Sequence, residues 1–488
     1  MATLAKGGRT NFFGFLLRLA ARLPFLFIAG RLYGPDALGR FASALVLVEL
    51  LALVCSLGEK RGLAQRLSDG ADGRATHLVY DGMLLTLGFS LIAAAFLYFV
   101  PAPMFPSGQY TALDQLIVLA IPGYALTEIV LAAQAYRYDI ATTVRARAIV
   151  EPWTISIMAG VFFFTPLRES GLALAYLVSI YAGLAAALWS FLRSYGLPRG
   201  WRPHPILMAR QTLRALPLAT ADAVEWGTRR VDIFVLGFFV SPAIVGIYYF
   251  AQQIVSLPQK LKTSFEPILG PVITRNLKEN NLPAIAAQVR QVGFWITAAQ
   301  AGIVLALAIP GEAVMGLGGP EYVAGTAALA ILLLAEVVAA TAVVSEAALV
   351  YMARVRNLWL SILTIAIQVG LTIAAVIFAQ SMGWTEPFQA AGAALALMVA
   401  LAFASLAKAW LLSRLLGEGV NNFRLVLVWA AAPAVVVGFA VTFLPEWAEL
   451  VFGIPAILLA YGWVIWRKGF GPEDRLLFRK NVGGNTSE

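Results

Sequence analysis

Apolar residues run along the chain in windows of roughly twenty, long enough to cross a bilayer as helices, separated by short polar and basic stretches. The pattern predicts fourteen membrane-spanning helices at 11–32, 39–59, 77–100, 112–134, 146–165, 171–192, 212–239, 242–264, 285–309, 322–350, 357–379, 387–412, 424–444 and 447–466. The expected fold class is therefore all-α and polytopic. The longest loops, 192–214 and 261–283, hold few apolar residues, so no soluble domain of consequence is expected.

The pattern also repeats. RLPFLFIAGRLYGPDALGRF (Arg22 to Phe41) is matched by RRVDIFVLGFFVSPAIVGIY (Arg229 to Tyr248), with Arg22/Arg229, Gly30/Gly237, Pro35/Pro242, Gly39/Gly246 and Phe41/Tyr248 all separated by 207 positions. The same shift takes Glu59 to Glu266 and Arg147 to Arg354, and one further residue takes Glu128 to Glu336. Six spans separate the copies, which leaves both in the same orientation across the membrane. Two six-helix lobes in parallel pseudo-twofold repeat are expected, 1–200 (spans 1–6) and 201–415 (spans 7–12), followed by two additional spans in 416–470 and a tail at 471–488.

Composition agrees: 60% hydrophobic and 13% charged residues over 488 positions is more apolar surface than a soluble core can bury. Charge adds sidedness. With both termini in the cytoplasm, 29 of the 36 basic residues fall on inner segments, including Arg147 and Lys408, against Arg31, Arg40 and Arg168 outside. Lys6 and Arg9 precede an apolar segment without a small-residue cleavage site, which predicts a retained first span. The net charge of +9 is dispersed between spans, which argues against a nucleic-acid partner.

Four arginines fall within spans: Arg18, Arg22, Arg229 and Arg230. Such a residue costs about 2.5–3.5 kcal/mol on insertion scales and normally faces a wet cavity or a partner. Arg18 and Arg22 are four apart and share a helix face; Asp222, Glu225, Arg229 and Asp232 recur at spacings of three, four and three and form a stripe on span 7. Further carboxylates lie in or near spans at Glu49, Glu128, Glu151, Glu336 and Glu346. These charges make either salt bridges or the lining of a pathway between the lobes. A guanidinium fork suits phosphate oxygens bidentately, so the four arginines are the candidate anion-binding residues. Asp222, Glu225, Asp232, Glu128, Glu336 and Glu49 are the candidate cavity acids or ion-coupling sites, with H+ or Na+ as the ion and no other cofactor.

Other chemistry is excluded or weak. No phosphate-binding G-x-x-x-x-G-K-[ST] loop occurs; GLGGPEYVAG (Gly316 to Gly325) falls in an outer loop and reads as a turn; His77 and His204 are isolated, which argues against a metal site. The single cysteine, Cys55, rules out a disulfide framework.

Asn11 and Gly14, the hairpin GPDALGRF (Gly34 to Phe41), SLGEKRGLAQRL (Ser56 to Leu67) and RRVDIFVLGFFVSPAIVGIYYFAQ (Arg229 to Gln252) together resemble the polysaccharide-export branch of the multidrug/oligosaccharidyl-lipid/polysaccharide (MOP) exporter superfamily. The likeness spans about the first 300 residues. It implies a V-shaped pair of lobes that alternates between inward-open and outward-open states, in a bacterial inner membrane. It further implies a flippase for cell-surface polysaccharide biosynthesis (O-antigen or exopolysaccharide), not an enzyme, moving a polyprenyl-diphosphate-linked oligosaccharide to the periplasmic leaflet. Arg18, Arg22 and Arg229 match the cavity arginines of lipid-linked flippases. The implied partners are the lipid-linked glycan, membrane lipids and polysaccharide polymerase machinery. Fourteen spans also resemble the lipid II flippase, whose extra helical pair grooves the lipid tail, although spans 13 and 14 carry no distinctive motif here. The rival functions are a cation-coupled multidrug antiporter of the same superfamily, which requires an acidic cavity, and a membrane-embedded glycosyltransferase or ligase, which requires catalytic acids beside a large outer loop.

Overall fold

A computed structural model describes residues 23–58, 63, 67, 75–198, 200–203, 205–263 and 266–471. All regular structure among them is helical. The helices are α1 (23–33), α2 (Gly34–Cys55), α3 (Ala75–Phe99), α4 (Ala120–Tyr136), α5 (Glu151–Phe163), α6 (Gly171–Tyr195), α7 (Pro205–Leu236), α8 (Pro242–Thr263), α9 (Glu266–Lys278), α10 (Leu282–Ala308), α11 (Thr326–Met352), α12 (Arg354–Ser381), α13 (Glu386–Leu416), α14 (Val426–Val441) and α15 (Ile454–Val464). Each of the fourteen expected spans overlaps one of these, the first over its described residues 23–32, residues 11–22 lying outside the described ones; α9 is an extra helix within the 261–283 loop.

Among the described residues, ten helical stretches are long and apolar enough to cross a membrane. The difference from fourteen has three sources. Leu23–Cys55 runs as one stretch through α1 and α2; α14 is short; and α7 and α8 carry too many polar and charged residues. The first two spans nevertheless separate at Gly34, whose φ of +80° is a conformation that side chains rarely adopt, and Pro35 then opens α2. The polarity of α7 is the charged stripe itself.

The chain forms two compact units. Unit 1 is Met1–Phe250, Leu317–Tyr322 and Thr372–Ala393; unit 2 is Ala251–Gly316, Val323–Leu371 and Ala394–Glu488. In unit 1, α4 packs on α2, α3 and α6, α5 packs on α6, and α7 lies along α2. Its core includes Val79, Ile129, Val130, Ala187 and Phe191. The two copies of the repeated hairpin meet within this unit. A Cβ at Gly39 would overlap the carbonyl oxygen of Pro242 and lie 2.9 Å from Gly246 N; a Cβ at Gly246 would overlap the carbonyl oxygen of Pro35 and lie 2.8 Å from Gly39 N. Residues 207 apart thus touch reciprocally, the contact a local twofold generates.

In unit 2, α10 packs on α11, and α9 on both, around Ile273, Ile285, Val289, Val344 and Leu412. The last two spans are built into this unit: α14 and α15 pack on each other and on α10. Glycines allow the approach, with Gly302 against Tyr461 and Gly438 against Ile309. The loop after α13 inserts Asn422, which donates to Thr297 Oγ1 (3.0 Å) and accepts from Thr341 Oγ1 (2.8 Å), joining α10 to α11.

Candidate functional site

Unit 1 carries a charged centre inside its helices. The backbone before α5 widens into a π-type turn at Arg145–Val150, a feature frequent at functional sites, and this turn carries Arg147. The guanidinium ion-pairs with Glu128 of α4 and, at 2.7 Å, with Glu151 of α5, and lies 4.3 Å over the ring of Tyr124. Arg147, Glu128 and Glu151 side chains are only 13%, 15% and 21% exposed. Sequence reasoning counted Arg147 among the inner-side charges, at the edge of span 146–165; the structure gives it two carboxylate partners, which neutralise it and make burial tolerable. Its i, i+4 spacing to Glu151 was the signal available in the sequence. With all three groups ionised the trio carries one net negative charge.

A second cluster lies on α7 and α8, where Arg230 sits 5.9 Å from the ring of Tyr249. Asp232 is fully buried and accepts from the Tyr248 hydroxyl at 2.6 Å. Asp222 is buried too, whereas Glu225 and Arg229 are exposed and Arg230 is half-buried. The stripe expected on span 7 is therefore split between buried carboxylates and exposed charges. Arg18 and Arg22 lie outside the described residues. Glu336, in unit 2, accepts from Gln259 Nε2 at 2.7 Å.

The three arginines expected on the outer side each have a fixed partner. Arg31 donates to Leu317 O (3.0 Å), Arg168 donates to Leu32 O (3.3 Å), and Arg40 pairs with Asp36, with Asp114 3.8 Å away. The glycine-rich turn that supplies Leu317 is packed, since a Cβ on Gly30 would stand 3.0 Å from Gly318.

Unit 2 supplies an apolar surface. A groove of about 420 Å³ runs between α10 and α15, lined by Trp295, Ala298, Gly302, Leu458, Tyr461 and Trp466. A second, of about 650 Å³, adjoins it along α15 against Pro433 of α14, sharing Leu458, Gly462 and Trp466. Among the described residues no cluster of three or more His, Cys, Asp or Glu could hold a metal ion.

No protein-family model matches the chain, and no curated protein matches it significantly. Solved structures do match in fold. The lipid II flippase MurJ in an inward closed conformation aligns with a TM-score of 0.69 at 12% identity, covering 94% of this chain and 98% of the flippase. An inward-facing multidrug resistance MATE family transporter of the MOP superfamily aligns with a TM-score of 0.66 at 17% identity, covering 82% of this chain and 95% of the transporter. An outward-facing one aligns with a TM-score of 0.55 at 16% identity, covering 82% and 93%. The chain is an all-helical, multi-pass membrane protein with the fold of these MOP superfamily members.

Proposed function

We propose that this chain is a flippase that carries a polyprenyl-diphosphate-linked oligosaccharide from the cytoplasmic to the periplasmic leaflet of a bacterial inner membrane, for cell-surface polysaccharide synthesis. The observation that carries the reading is the pair of adjoining apolar grooves along α15, an open surface of a size and chemistry suited to a prenyl chain. The likeness of fold to the lipid II flippase MurJ, over 94% of this chain, supports it.

In this mechanism Arg18, Arg22, Arg229 and Arg230 receive the diphosphate, the prenyl tail stays on the apolar surface, and lobes 1–200 and 201–415 rock so that the headgroup leaves on the periplasmic side. The exposed Arg229 and half-buried Arg230 are placed for such a contact. Arg147 is not, because its donors are held by Glu128 and Glu151. Glu128, Glu336, Asp222 and Asp232 are the sites at which H+ or Na+ would drive the cycle.

A second reading, a cation-coupled multidrug antiporter, is favoured by the acid-rich centre around Arg147 and by the MATE matches. Export and efflux separate the two. Arg229→Ala with Arg230→Ala is expected to reduce surface polysaccharide at least tenfold in a complementation assay at unchanged protein level. Unimpaired export together with efflux of a lipophilic cationic dye would transfer the assignment to the antiporter.

A further inference from the structure

Three arginines lie over tryptophans four residues before them, each at the C-terminal end of a helix. Trp189 and Arg193 close α6, Trp410 and Arg414 close α13, and Trp463 and Arg467 stand where α15 continues into the turn Ile465–Gly469. The guanidinium carbons are 4.7, 5.4 and 4.9 Å from the ring centroids. All six side chains are exposed, the tryptophans by 61%, 62% and 59%. Among the described residues Arg193 and Arg414 have no ion-pair partner. These helices are spans 6, 12 and 14, which all end on the side that the charge pattern predicts to be cytoplasmic. At the opposite ends tryptophans stand against phenylalanines instead, Trp384 against Phe378 and Phe388, and Trp447 against Phe452. Spacing alone does not make the pair: Trp226 is four residues before Arg230, whose guanidinium faces the Tyr249 ring.

We propose that the three pairs are docking points for anionic phospholipids of the cytoplasmic leaflet. A basic residue in a last turn suits the helix dipole, which accounts for each arginine but not for the exposed ring beneath it. An exposed indole at the end of a span sits at headgroup depth. An arginine over that ring meets the π face with its cationic centre, while its N–H donors lie in the guanidinium plane and can take two phosphate oxygens at once. The ring also restrains the side chain, so less rotamer freedom is lost when a lipid binds. Charge selects the lipid: a net-negative headgroup is attracted to the arginine, whereas in a zwitterionic one the ammonium offsets the phosphate. Tryptophans backed by phenylalanine carry no such charge, so the preference belongs to one leaflet. Trp463 also lines the larger groove on α15, beside the surface assigned to the prenyl chain. The pairs on α6 and α13 lie on other helices, and the inference is independent of what the protein carries.

The test is native mass spectrometry of the purified full-length protein offered phosphatidylglycerol or phosphatidylcholine with the same acyl chains. Wild type is expected to retain phosphatidylglycerol about fivefold more tightly, the factor that one arginine is worth near an anionic headgroup. Arg193→Gln, Arg414→Gln and Arg467→Gln should each lose one bound phosphatidylglycerol, and the triple variant should bind the two lipids alike. Trp189→Leu with Trp410→Leu and Trp463→Leu keeps the charges and removes the rings, and should lower the preference about twofold. Trp384→Leu with Trp447→Leu should leave it unchanged. A polyprenyl diphosphate at equal concentration should displace at most the lipid at α15. The proposal is overturned by equal retention of both lipids in wild type, by single arginine variants that bind as many lipids as wild type, or by a preference that survives the triple arginine substitution. Full preference in the variant without the three rings, an equal loss from the outer tryptophans, or displacement at all three pairs by the polyprenyl diphosphate overturns it as well.

Discussion

At the scale of the residue, the structure is governed by how buried charges are matched. Arg147 stays inside unit 1 because two carboxylates and a tyrosine face surround it. Removing one partner of such an arrangement leaves uncompensated charge, which typically costs about 3–5 kcal/mol, whereas replacing the whole set by apolar groups of similar volume is often neutral. Arg147→Ala is accordingly expected to lower the unfolding midpoint sharply. Arg147→Met combined with Glu128→Gln and Glu151→Gln should restore most of the loss, and a triple variant no more stable than the single one would show that the charges do not act together. Asn422 poses the neutral version of the problem. It joins two threonines, so Asn422→Leu strands the Thr341 hydroxyl in unit 2, while Thr297 keeps its bond to Gly293 O; the cost of about 1–3 kcal/mol is readable as reduced resistance to heat.

Helices set the next scale, and glycine decides how near they come. The contact between the N-terminal turns of α2 and α8 has backbone against backbone in both directions, with no room for a methyl group at Gly39 or Gly246. Gly39→Ala and Gly246→Ala are each expected to destabilise by several kcal/mol, because the atoms in the way are main-chain carbonyls that cannot rotate aside. Gly88 of α3 is the control: a Cβ there meets nothing within 4 Å, so Gly88→Ala should be neutral or stabilising by up to about 1 kcal/mol. Equal losses at Gly39 and Gly88 would mean that the reciprocal contact is not what constrains these helices. The same logic explains α14 and α15, which reach α10 through Gly438 and Gly302.

For the whole molecule the question is sidedness. The positive-inside pattern predicts both termini in the cytoplasm, and the three arginines expected outside, Arg31, Arg40 and Arg168, are exceptions to that pattern with an identifiable partner. Each is tied to a carbonyl or a carboxylate, and so serves local structure at the end of a span. A fluorescent protein fused after Glu488 is expected to fluoresce, and a periplasm-dependent phosphatase at the same point to stay inactive; the opposite pair of results would invert the topology.

Hydropathy alone located the long apolar helices and their order, though not α9, because the bilayer requires about twenty apolar residues per crossing and few soluble alternatives produce that spacing. The 207-residue repeat was likewise legible in Pro35, Gly39 and their counterparts, since turn and close-approach residues tolerate few substitutes. The environment of each charge was not legible. Arg147 and Lys408 read as inner-side charges near the ends of spans 146–165 and 387–412, and Asp222, Glu225, Arg229 and Asp232 look like one stripe by spacing. Only packing decides that Arg147 meets Glu128, nineteen positions away, that Lys408 meets Glu346, and that Asp232 is buried while Arg229 is exposed. Periodicity reports the angle of a side chain around its own helix; the neighbour that faces it comes from another helix, and that choice belongs to the tertiary structure.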